Sequence, residues 1–335
     1  MAKKRILSGM RPSGKLHLGN YLGALTNWVR LQDEYECFFM IADWHALTDR
    51  TDTTQIKKDV EDVLIDWLAA GLDPEKSVLF LQSHIKEHAE LHLILSMITP
   101  LSWLERCPTY KEKIEAGAAT NYGLLGYPVL QAADILVYQA ERVPVGEDQL
   151  PHLELTREIA RRFNSLYGRV FPEPEPILSH SPRIMGIDGK KKMGKSYNNY
   201  IALSDTPEVI KKKVMTMFTD PAKIYMGDPG HPDECNVYAY HKVFGSNLRE
   251  DLEKIASDCK KGKLGCTSCK AKLTEVLVEY LAPFREKRRQ IEEDKTSIQR
   301  ILTAGREKAS HAASFTLKQV REAMQMGYYP PNANS

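Results

Sequence analysis

Apolar residues in the first half of the chain follow two spacings, one typical of β-strands and one typical of helices. Residues 37–42 and 77–82 are largely continuous apolar runs, as expected for parallel strands that are covered on both faces. Between them, the apolar residues of 60–68 recur at helical spacing, and the pattern stops at Gly71. This order predicts a β-α-β unit of a doubly wound parallel sheet, in which ligands bind beyond the carboxyl ends of the strands.

The remaining patterns divide the chain into two parts. Residues 5–8 predict a first strand, and a turn leads from it into a helix whose apolar face starts at Leu18. Residues 171–176 are rich in proline and predict a surface connector, and residues 330–335 predict a frayed tail. From about Tyr197 onward, charge-rich helical patterns replace the strand-like runs. We therefore expect an α/β domain over residues 1–190 and a mostly helical domain over residues 191–335.

The composition indicates the cellular compartment of the protein more than its activity. Lysine and arginine exceed aspartate and glutamate by 46 − 44 = 2, so any nucleic-acid surface must be a local patch. The apolar stretch after the basic start is too short for a signal peptide, and no apolar run reaches the length of a membrane span. These features predict a cytoplasmic protein whose six cysteines are thiols or metal ligands rather than disulfides.

The first candidate for chemistry is the turn between the first strand and its helix, residues 10–20. A helix start offers unpaired N–H groups and the positive end of a dipole, both of which suit a triphosphate. Gly19 has no Cβ, so a flat base can approach its backbone, and His17 and Asn20 can donate hydrogen bonds to phosphate oxygens. Taken alone, this turn would ordinarily be interpreted as a capped helix with an incidental histidine.

A second candidate is the lysine-rich loop, residues 190–196, at the junction of the two predicted domains. Cations on a closing loop can stabilise the charge that builds up when pyrophosphate leaves an α-phosphorus. A run of lysines alone is more often a solvated loop. Its position after the strands, opposite a phosphate-binding helix start, predicts instead that the two segments close on one nucleotide.

Between these segments, residues 127–138 predict a helix that carries a carboxylate on an apolar face. Asp134 shares that face with Leu130, Ala133 and Val137. A buried carboxylate needs a hydrogen-bond donor, which can be a backbone amide of the protein or the N–H of a ligand such as an indole. If the donor is a ligand group, a ligand that lacks it should be rejected strongly.

Four of the six cysteines, Cys235, Cys259, Cys266 and Cys269, fall within 35 consecutive residues of the helical part. The closely spaced pair Cys266 and Cys269 can chelate one centre, and four thiolates complete a ligand set without an open position. Such a site is structural, and its spacing does not choose between zinc and a four-iron cluster.

These segments resemble the signatures of the class I aminoacyl-tRNA synthetases. Residues 17–20, His-Leu-Gly-Asn, stand where the family has H-I-G-H. Residues 192–196 resemble its K-M-S-K-S loop, with Gly194 in place of a serine, which we expect to loosen the loop. Residues 127–138 and 146–149 resemble the pocket helix and the G-E-D-Q nucleotide loop of the tryptophanyl branch. The resemblance extends from Arg5 to about Met326 and implies a Rossmann-like catalytic domain followed by a helical anticodon-binding domain.

The resemblance also implies roles for individual residues. The catalytic residues would be His17, Asn20, Lys192 and Lys195. The residues that match the ATP site are Arg11, Pro12, Ser13, His17, Gly19, Asn20, Lys113, Gly146, Glu147, Asp148, Ile184, Lys192, Met193, Gly194, Lys195 and Ser196. Those that match the tryptophan site are Leu7, His45, Tyr127, Gln131, Asp134 and Gln149, with Asp134 as the acceptor of the indole N–H.

The reaction implied by the resemblance is the activation of L-tryptophan with ATP and Mg²⁺, followed by transfer of the aminoacyl group to tRNA(Trp). The nearest alternative is a tyrosine–tRNA ligase of the same fold, because a phenol hydroxyl also donates to a buried carboxylate. The alternative outside the enzymes is a catalytically inactive RNA-binding paralogue, because Gly194 removes a hydroxyl from the lysine-rich loop.

The resemblance further extends to metal content and assembly. A subset of bacterial members has a similar four-cysteine array that holds a [4Fe-4S] cluster, so we expect such a cluster here, with zinc as the alternative. Residues 87–119 resemble the insertion through which these enzymes form two-fold dimers, and we therefore expect a homodimer.

Overall fold

The structure is a computed structural model that describes residues 3–48, 50–115, 117, 121–178, 184–245 and 251–326. Its centre is a five-stranded sheet in the order β3-β2-β1-β4-β5, and every neighbouring pair is parallel. The strands are β1 Arg5–Met10, β2 Glu36–Ile41, β3 Ser77–Leu81, β4 Arg142–Val145 and β5 Glu175–Leu178. The prediction of a doubly wound parallel sheet is confirmed. The predicted tail at 330–335 lies outside the described residues, as does part of the end of the 87–119 insertion.

Helices connect the strands in the first part of the chain and make up most of the second part. The first part contains α1 Leu18–Asn20, α2 Thr26–Leu31, α3 Asp43–Ala46, α4 Ile56–Ala70, α5 Glu87–Ile98, α6 Leu101–Glu105, α7 Pro108–Glu115, α8 Tyr122–Leu136 and α9 Leu150–Tyr167. The second part contains α10 Pro207–Met215, α11 Asn236–Phe244, α12 Leu252–Lys260, α13 Cys266–Glu293 and α14 Lys295–Ala323. A π-helical turn, Tyr21–Leu25, joins α1 to α2. The prediction of a helical second part is confirmed.

The sheet separates two apolar layers, because successive side chains of a strand point to opposite faces. Ile6 and Phe39 pack in one layer with α2, α4, α10, α11 and α13. Leu7 and Phe38 pack in the other layer with α5, α8, α9 and α14. Helices of the second part therefore contribute to the core on both faces of the sheet. The boundary near residue 190 between two domains stays a prediction.

The proline-rich segment 171–176 is a connector only over residues 171–174, which link α9 to β5. Glu175 and Pro176 begin β5, which lies at the edge of the sheet beside β4, and Phe171 is buried against Phe163 of α9. Proline is tolerated in an edge strand because its missing N–H need not take part in the ladder. The prediction is therefore wrong for Glu175 and Pro176, which belong to a strand: the prolines exclude a helix but not an edge strand.

The last helix, α14, returns to the sheet and packs along β3. A Cβ on Gly305 would lie 1.8 Å from the carbonyl oxygen of Leu79, so the helix approaches the strand more closely than any side chain at this position would allow. Near its end, Arg321 forms a bidentate ion pair with Glu90 of α5. Within the described ranges, each helix is too short or too polar to cross a lipid bilayer.

Candidate active site

A cavity of about 420 Å³ opens where the strand order reverses, between the ends of β1 and β4. This is the position at which doubly wound sheets bind ligands. The predicted site residues that line it are Leu7, Arg11, His45, Lys113, Tyr127, Gln131, Asp134, Gly146 and Gln149. All six residues predicted for the tryptophan site therefore share one cavity, together with three of those predicted for ATP.

The carboxylate of Asp134 is almost fully buried at this cavity and is held by three side chains. His45 Nε2 donates to Oδ2 at 2.7 Å, whereas His88 Nδ1 and Gln82 Nε2 donate to Oδ1 at 2.7 and 2.8 Å. Burial alone would raise the pKa of Asp134, but the two histidines outweigh it and lower the pKa to about 2. Asp134 is thus an anion, and a second lone pair of Oδ2 can accept a hydrogen bond from a ligand.

Tyr127 lies on the same helix as Asp134 and contacts Nε2 of His152 through its hydroxyl. Burial raises the pKa of Tyr127 and lowers the pKa of His152, so both groups are neutral at pH 7. The phenol is therefore the donor and the imidazole the acceptor in this contact. The phenolic oxygen keeps its acceptor capacity, which suits the ammonium group of an amino acid.

The helix start at His17 is closed by a reciprocal capping box. His17 Nδ1 accepts from the backbone N–H of Asn20 at 3.2 Å, and Asn20 Oδ1 accepts from the backbone N–H of His17 at 3.1 Å. Because Nδ1 is an acceptor, the ring proton of His17 lies on Nε2, and because Oδ1 of Asn20 is an acceptor, its amide NH₂ is left as a donor. Both side chains can thus offer the donor that contact with phosphate requires.

The lysine-rich loop lies against this helix start. Burial lowers the pKa of His17, and Lys195 and Lys192 lower it further, to about 4, so the imidazole is neutral at pH 7. Lys195 Nζ also donates to the backbone carbonyl of Ser13, in the turn that precedes the helix. The two segments that the sequence predicted to close on one nucleotide are therefore adjacent.

The side chain of Asn199 gives the lysine-rich loop a defined conformation. Its Oδ1 accepts from the N–H of Gly194 at 2.8 Å, and its Nδ2 donates to Asp188 Oδ2 at 3.1 Å. Gly194 has an extended backbone with φ −168°, which any residue adopts, and Met193 is buried against the first layer of the core. The loosening expected from Gly194 stays a prediction.

The other residues predicted for ATP are not among those that line the cavity. Glu147 and Asp148 lie in the 3₁₀ turn directly after β4. A Cβ on Gly146 would lie 2.6 Å from Asp148 Oδ1, so only glycine lets this carboxylate fold back against the backbone. Ile184 is buried in the core. The remainder belong to the turn before α1, to the helix start itself or to the lysine-rich loop: Pro12, Ser13, Gly19, Asn20, Lys192 and Ser196.

The four clustered cysteines lie at the ends of three helices in the second part of the chain. Cys235 caps α11, Cys259 lies in the last turn of α12, and Cys266 and Cys269 lie in the first turn of α13. Burial raises the pKa of Cys259, the charge of Lys223 opposes this, and the thiols of Cys235 and Cys266 raise the pKa further. Across the described part of the chain, no three His, Cys, Asp or Glu side chains form a group that could hold a metal ion. The metal site therefore stays a prediction.

The sequence analysis missed three side chains that contact predicted site residues: Gln82 and His88, which contact Asp134, and His152, which contacts Tyr127 and lines the cavity. Gln82 follows β3 directly, where a parallel sheet places its ligand-binding residues, so the strand pattern did contain a signal for it. His88 and His152 lie on α5 and α9 and meet their carboxylate and phenol partners only through packing. No local pattern distinguishes them from ordinary core histidines.

The family model described as tRNA synthetases class I (W and Y) matches residues 2–282. The chain therefore belongs to this family of class I tRNA synthetases. Within the family its similarity is to the tryptophan branch. It is 49% identical to the tryptophan–tRNA ligase of Thermotoga maritima over 327 residues, covering 96% of this chain and 99% of the relative. It is 46% identical to that of Aquifex aeolicus, covering 96% and 100%.

The fold comparison agrees with the sequence comparison. The tryptophanyl-tRNA synthetase of Campylobacter jejuni, solved in complex with ADP and tryptophan, superposes with a TM-score of 0.87 at 35% identity. The match covers 96% of this chain and 99% of that chain. The Rossmann-like prediction for the first part of the chain is therefore confirmed.

Proposed function

We infer that the protein is a tryptophan–tRNA ligase, which activates L-tryptophan with ATP and transfers the tryptophanyl group to tRNA(Trp). The observation that carries this inference is one cavity that contains every residue of the expected tryptophan site, beside a helix start on which the lysine-rich loop lies. Identity of 46–49% to tryptophan–tRNA ligases over nearly the whole chain supports tryptophan rather than tyrosine as the substrate. The same similarity and the adjacency of His17 and Lys195 disfavour an inactive paralogue.

Asp134 supplies the specificity for the indole ring. Its Oδ2 accepts one hydrogen bond from His45 and takes the indole N–H as a second. A phenylalanine side chain offers no donor, so it would leave a buried anion with an unfilled acceptor position, which costs binding free energy. Tyr127 and Gln149, on the wall of the same cavity, bind the ammonium and carboxylate groups of the amino acid.

The helix start and the lysine-rich loop bind the triphosphate. Nε2 of His17 and the amide of Asn20 donate to phosphate oxygens, while Lys192 and Lys195, together with Mg²⁺, balance the charge. The carboxylate of tryptophan attacks the α-phosphorus in line, the bond to the bridging oxygen breaks, and pyrophosphate leaves with that electron pair. Positioning and electrostatics suffice for this step, so no side-chain nucleophile is needed. The terminal ribose hydroxyl of the tRNA then takes the aminoacyl group from the adenylate.

The test of this function is isotope exchange between pyrophosphate and ATP, measured separately with tryptophan, tyrosine and phenylalanine. We expect exchange with tryptophan and less than about a hundredth of that rate with phenylalanine, since phenylalanine offers no donor to the buried acceptor. With tyrosine we expect slower exchange than with tryptophan, because the relatives of 46–49% identity are tryptophan–tRNA ligases. Faster exchange with tyrosine would reassign the substrate. No exchange with any amino acid, from protein with a cooperative unfolding transition, would favour the RNA-binding paralogue.

We also propose that the four cysteines bind a structural metal centre, a [4Fe-4S] cluster with zinc as the alternative. The four cysteines lie at the ends of α11, α12 and α13, and four thiols are a complete donor set for either metal centre. The centre would fix the ends of three helices to one another.

The metal proposal predicts that anaerobically purified protein contains about four iron and four sulfide per chain and absorbs near roughly 400 nm. Cys266→Ser should lose most of the iron, whereas Cys37→Ala, outside the cluster, should keep it. Stoichiometric zinc without iron would select the alternative, and wild-type protein without either metal would contradict the proposal.

A homodimer through the 87–119 insertion is the assembly we propose. Leu93 and Met97 lie one turn apart on α5 and are 56% and 75% exposed, and Leu101 on α6 is 57% exposed. Contiguous exposed apolar side chains mark surfaces that a partner covers, and two-fold pairing of identical surfaces is the commonest arrangement. The proposed partner is a second copy of this chain.

A further inference from the structure

A buried ion pair lies directly behind the helix start that carries His17. Asp66 of α4 is fully buried, and its Oδ2 accepts a hydrogen bond from the backbone N–H of Leu16 at 2.6 Å. Its other oxygen, Oδ1, pairs with Nη1 of Arg288. A buried anionic acceptor binds the N–H of Leu16 more strongly than a neutral acceptor would, because both charge and low dielectric strengthen the hydrogen bond.

Arg288 belongs to α13, in the helical second part of the chain, and is only 3% exposed. Its Nη2 pairs with Asp62 Oδ1 at 2.5 Å and with Glu292 Oε1 at 2.8 Å. A planar guanidinium that meets three carboxylates has little orientational freedom. Arg288 therefore fixes the carboxylate of Asp66 from a helix that lies 222 residues further along the chain.

The backbone of Leu16 is held from two sides. Its carbonyl accepts from the N–H of Leu203 at 2.9 Å, and the N–H of Leu18 donates to the carbonyl of Ile201 at 3.0 Å. The segment that follows the lysine-rich loop thus holds one side of the turn, and Asp66 holds the N–H of Leu16 on the other. His17 lies between Leu16 and Leu18, so these contacts determine where its imidazole stands.

The carboxylates of α4 also act on the lysine-rich loop. Burial lowers the pKa of Lys195, and Asp59, Asp66 and Asp62 act in the opposite direction, so their charges are close to this ammonium group. Unneutralised carboxylates at this place would repel a triphosphate. Arg288 pairs with two of the three, Asp62 and Asp66.

We propose that Arg288 is a positioning residue for ATP: it fixes Asp66, which sets the place of His17, and it neutralises the carboxylates behind the triphosphate. The proposal rests on the proposed function, because it requires ATP to bind at His17. It gives α13 a part in amino-acid activation, a step that does not need the tRNA. A purely structural role would affect stability but not the affinity of the folded protein for ATP.

The test is pyrophosphate–ATP exchange with tryptophan for the wild type, Asp66→Asn and Arg288→Met, with Arg289→Met as the matched control. Arg289 is the next residue of α13, and it is exposed and pairs with Glu286 and Glu293 at the surface. In the two buried variants we expect the KM for ATP to rise about tenfold or more, the scale of one lost charge-assisted hydrogen bond. We expect the KM for tryptophan to change less than about twofold, and the control to match the wild type.

The double variant shows whether Arg288 acts through Asp66. Adding Arg288→Met to Asp66→Asn should raise the KM for ATP by a smaller factor than adding it to the wild type, since residues in one network are not additive. Unchanged ATP parameters in folded Arg288→Met, with only a lower melting temperature, would overturn the proposal. Absence of exchange in the wild type would overturn the proposed function instead.

Arg288→Lys covers the case in which the buried variants do not fold. Lysine keeps the charge but lacks the planar fork that meets several carboxylates at once. Its melting temperature is measured without ATP and with a series of ATP concentrations. Ligand binding at an ATP concentration c stabilises the fold by RT ln(1 + c/Kd), so weaker binding gives a smaller rise at the same ATP concentration. A smaller ATP-induced rise than in the wild type supports the proposal, and an equal rise overturns it.

Discussion

Asp134 and His17 are buried groups whose neighbours decide the charge they carry at pH 7. Two histidines keep Asp134 ionised in spite of its burial, whereas burial and two lysines keep His17 neutral. In the proposed function, Asp134 is therefore an anionic acceptor for the amino acid and His17 is a neutral donor for the phosphate. Both properties depend on side chains that lie far away in the sequence.

Asp134→Asn tests the anionic acceptor. Asparagine keeps the volume of the aspartate side chain but loses its charge. Its NH₂ group is a donor that faces one of the three protein groups that donate to Asp134, and the indole N–H loses its acceptor. We expect the KM for tryptophan in the exchange reaction to rise about tenfold to a hundredfold, with the KM for ATP within about twofold of the wild type. Asp33→Asn, at an exposed ion pair with Lys76, is the control and should change neither. A larger effect on ATP than on tryptophan would contradict this role.

His17 should make the folded protein less stable in acid. Its pKa is about 4 in the fold and 6.5 without it, so as the pH falls below 6.5 the unfolded chain binds the proton first. Stability is then lost progressively down to pH 4, by at most about 3 kcal/mol. The measurement is urea unfolding of the wild type and His17→Gln at pH 7 and pH 4.5. Their difference in unfolding free energy should shift in favour of the variant at pH 4.5, and an identical difference at both pH values would contradict the assignment.

At the scale of elements, the site depends on how closely α14 and α4 approach the strands and turns beside them. α14 crosses β3 at Gly305, and α4 presents Asp66 to the turn before His17. The first approach connects the helical second part to the sheet, and Arg288 of α13 connects the second part to the helix start through Asp66. A substitution that alters either contact should therefore affect elements other than the one that carries it.

Gly305→Ala tests the approach of α14 to β3. Alanine is the better helix former by about 1 kcal/mol, but its Cβ would lie 1.8 Å from the carbonyl oxygen of Leu79, so the helix must shift. We expect the free energy of unfolding to fall by about 2 kcal/mol or more, as measured by urea denaturation. Thr303→Ala, on the exposed face of the same helix, should stay within about 0.5 kcal/mol of the wild type. An increase in stability for Gly305→Ala would contradict the close packing.

At the scale of the whole molecule, the proposed dimer adds a surface beyond the cavity. Its exposed apolar side chains lie on α5 and α6, and α5 also carries His88, which contacts Asp134. Covering this surface in a dimer would bury α5 on both of its sides. Assembly and the amino-acid site would then share one helix.

Replacing Leu93 and Met97 by glutamate tests the dimer. Two carboxylates on each copy would be brought together by two-fold pairing, and their repulsion and desolvation should shift the dimer to monomer. Sedimentation at micromolar concentration is the measurement. Leu166→Glu, at an exposed leucine of α9, is the control and should leave the oligomeric state unchanged. A monomeric wild type at the same concentration would contradict the proposed assembly.

The sequence by itself determined what depends on a few neighbouring residues. Apolar runs and helical spacing located β1, β2, β3 and α4, since the period of apolar side chains reports which face of an element is buried. The sequence also located the helix start at His17, the turn after β4 and the lysine-rich loop, because their chemistry lies in consecutive backbone and side-chain groups. Family resemblance then assigned the six residues that share the cavity.

Tertiary structure alone decided how distant groups are paired and charged. The three donors to Asp134 lie 46 to 89 residues away from it, and Arg288 lies 222 residues from Asp66. Burial and ionisation depend on the whole set of neighbours that packing brings together, and a local sequence pattern contains no record of them. The same reason explains β5, because a proline-rich segment becomes a strand only when the edge of a sheet lies beside it.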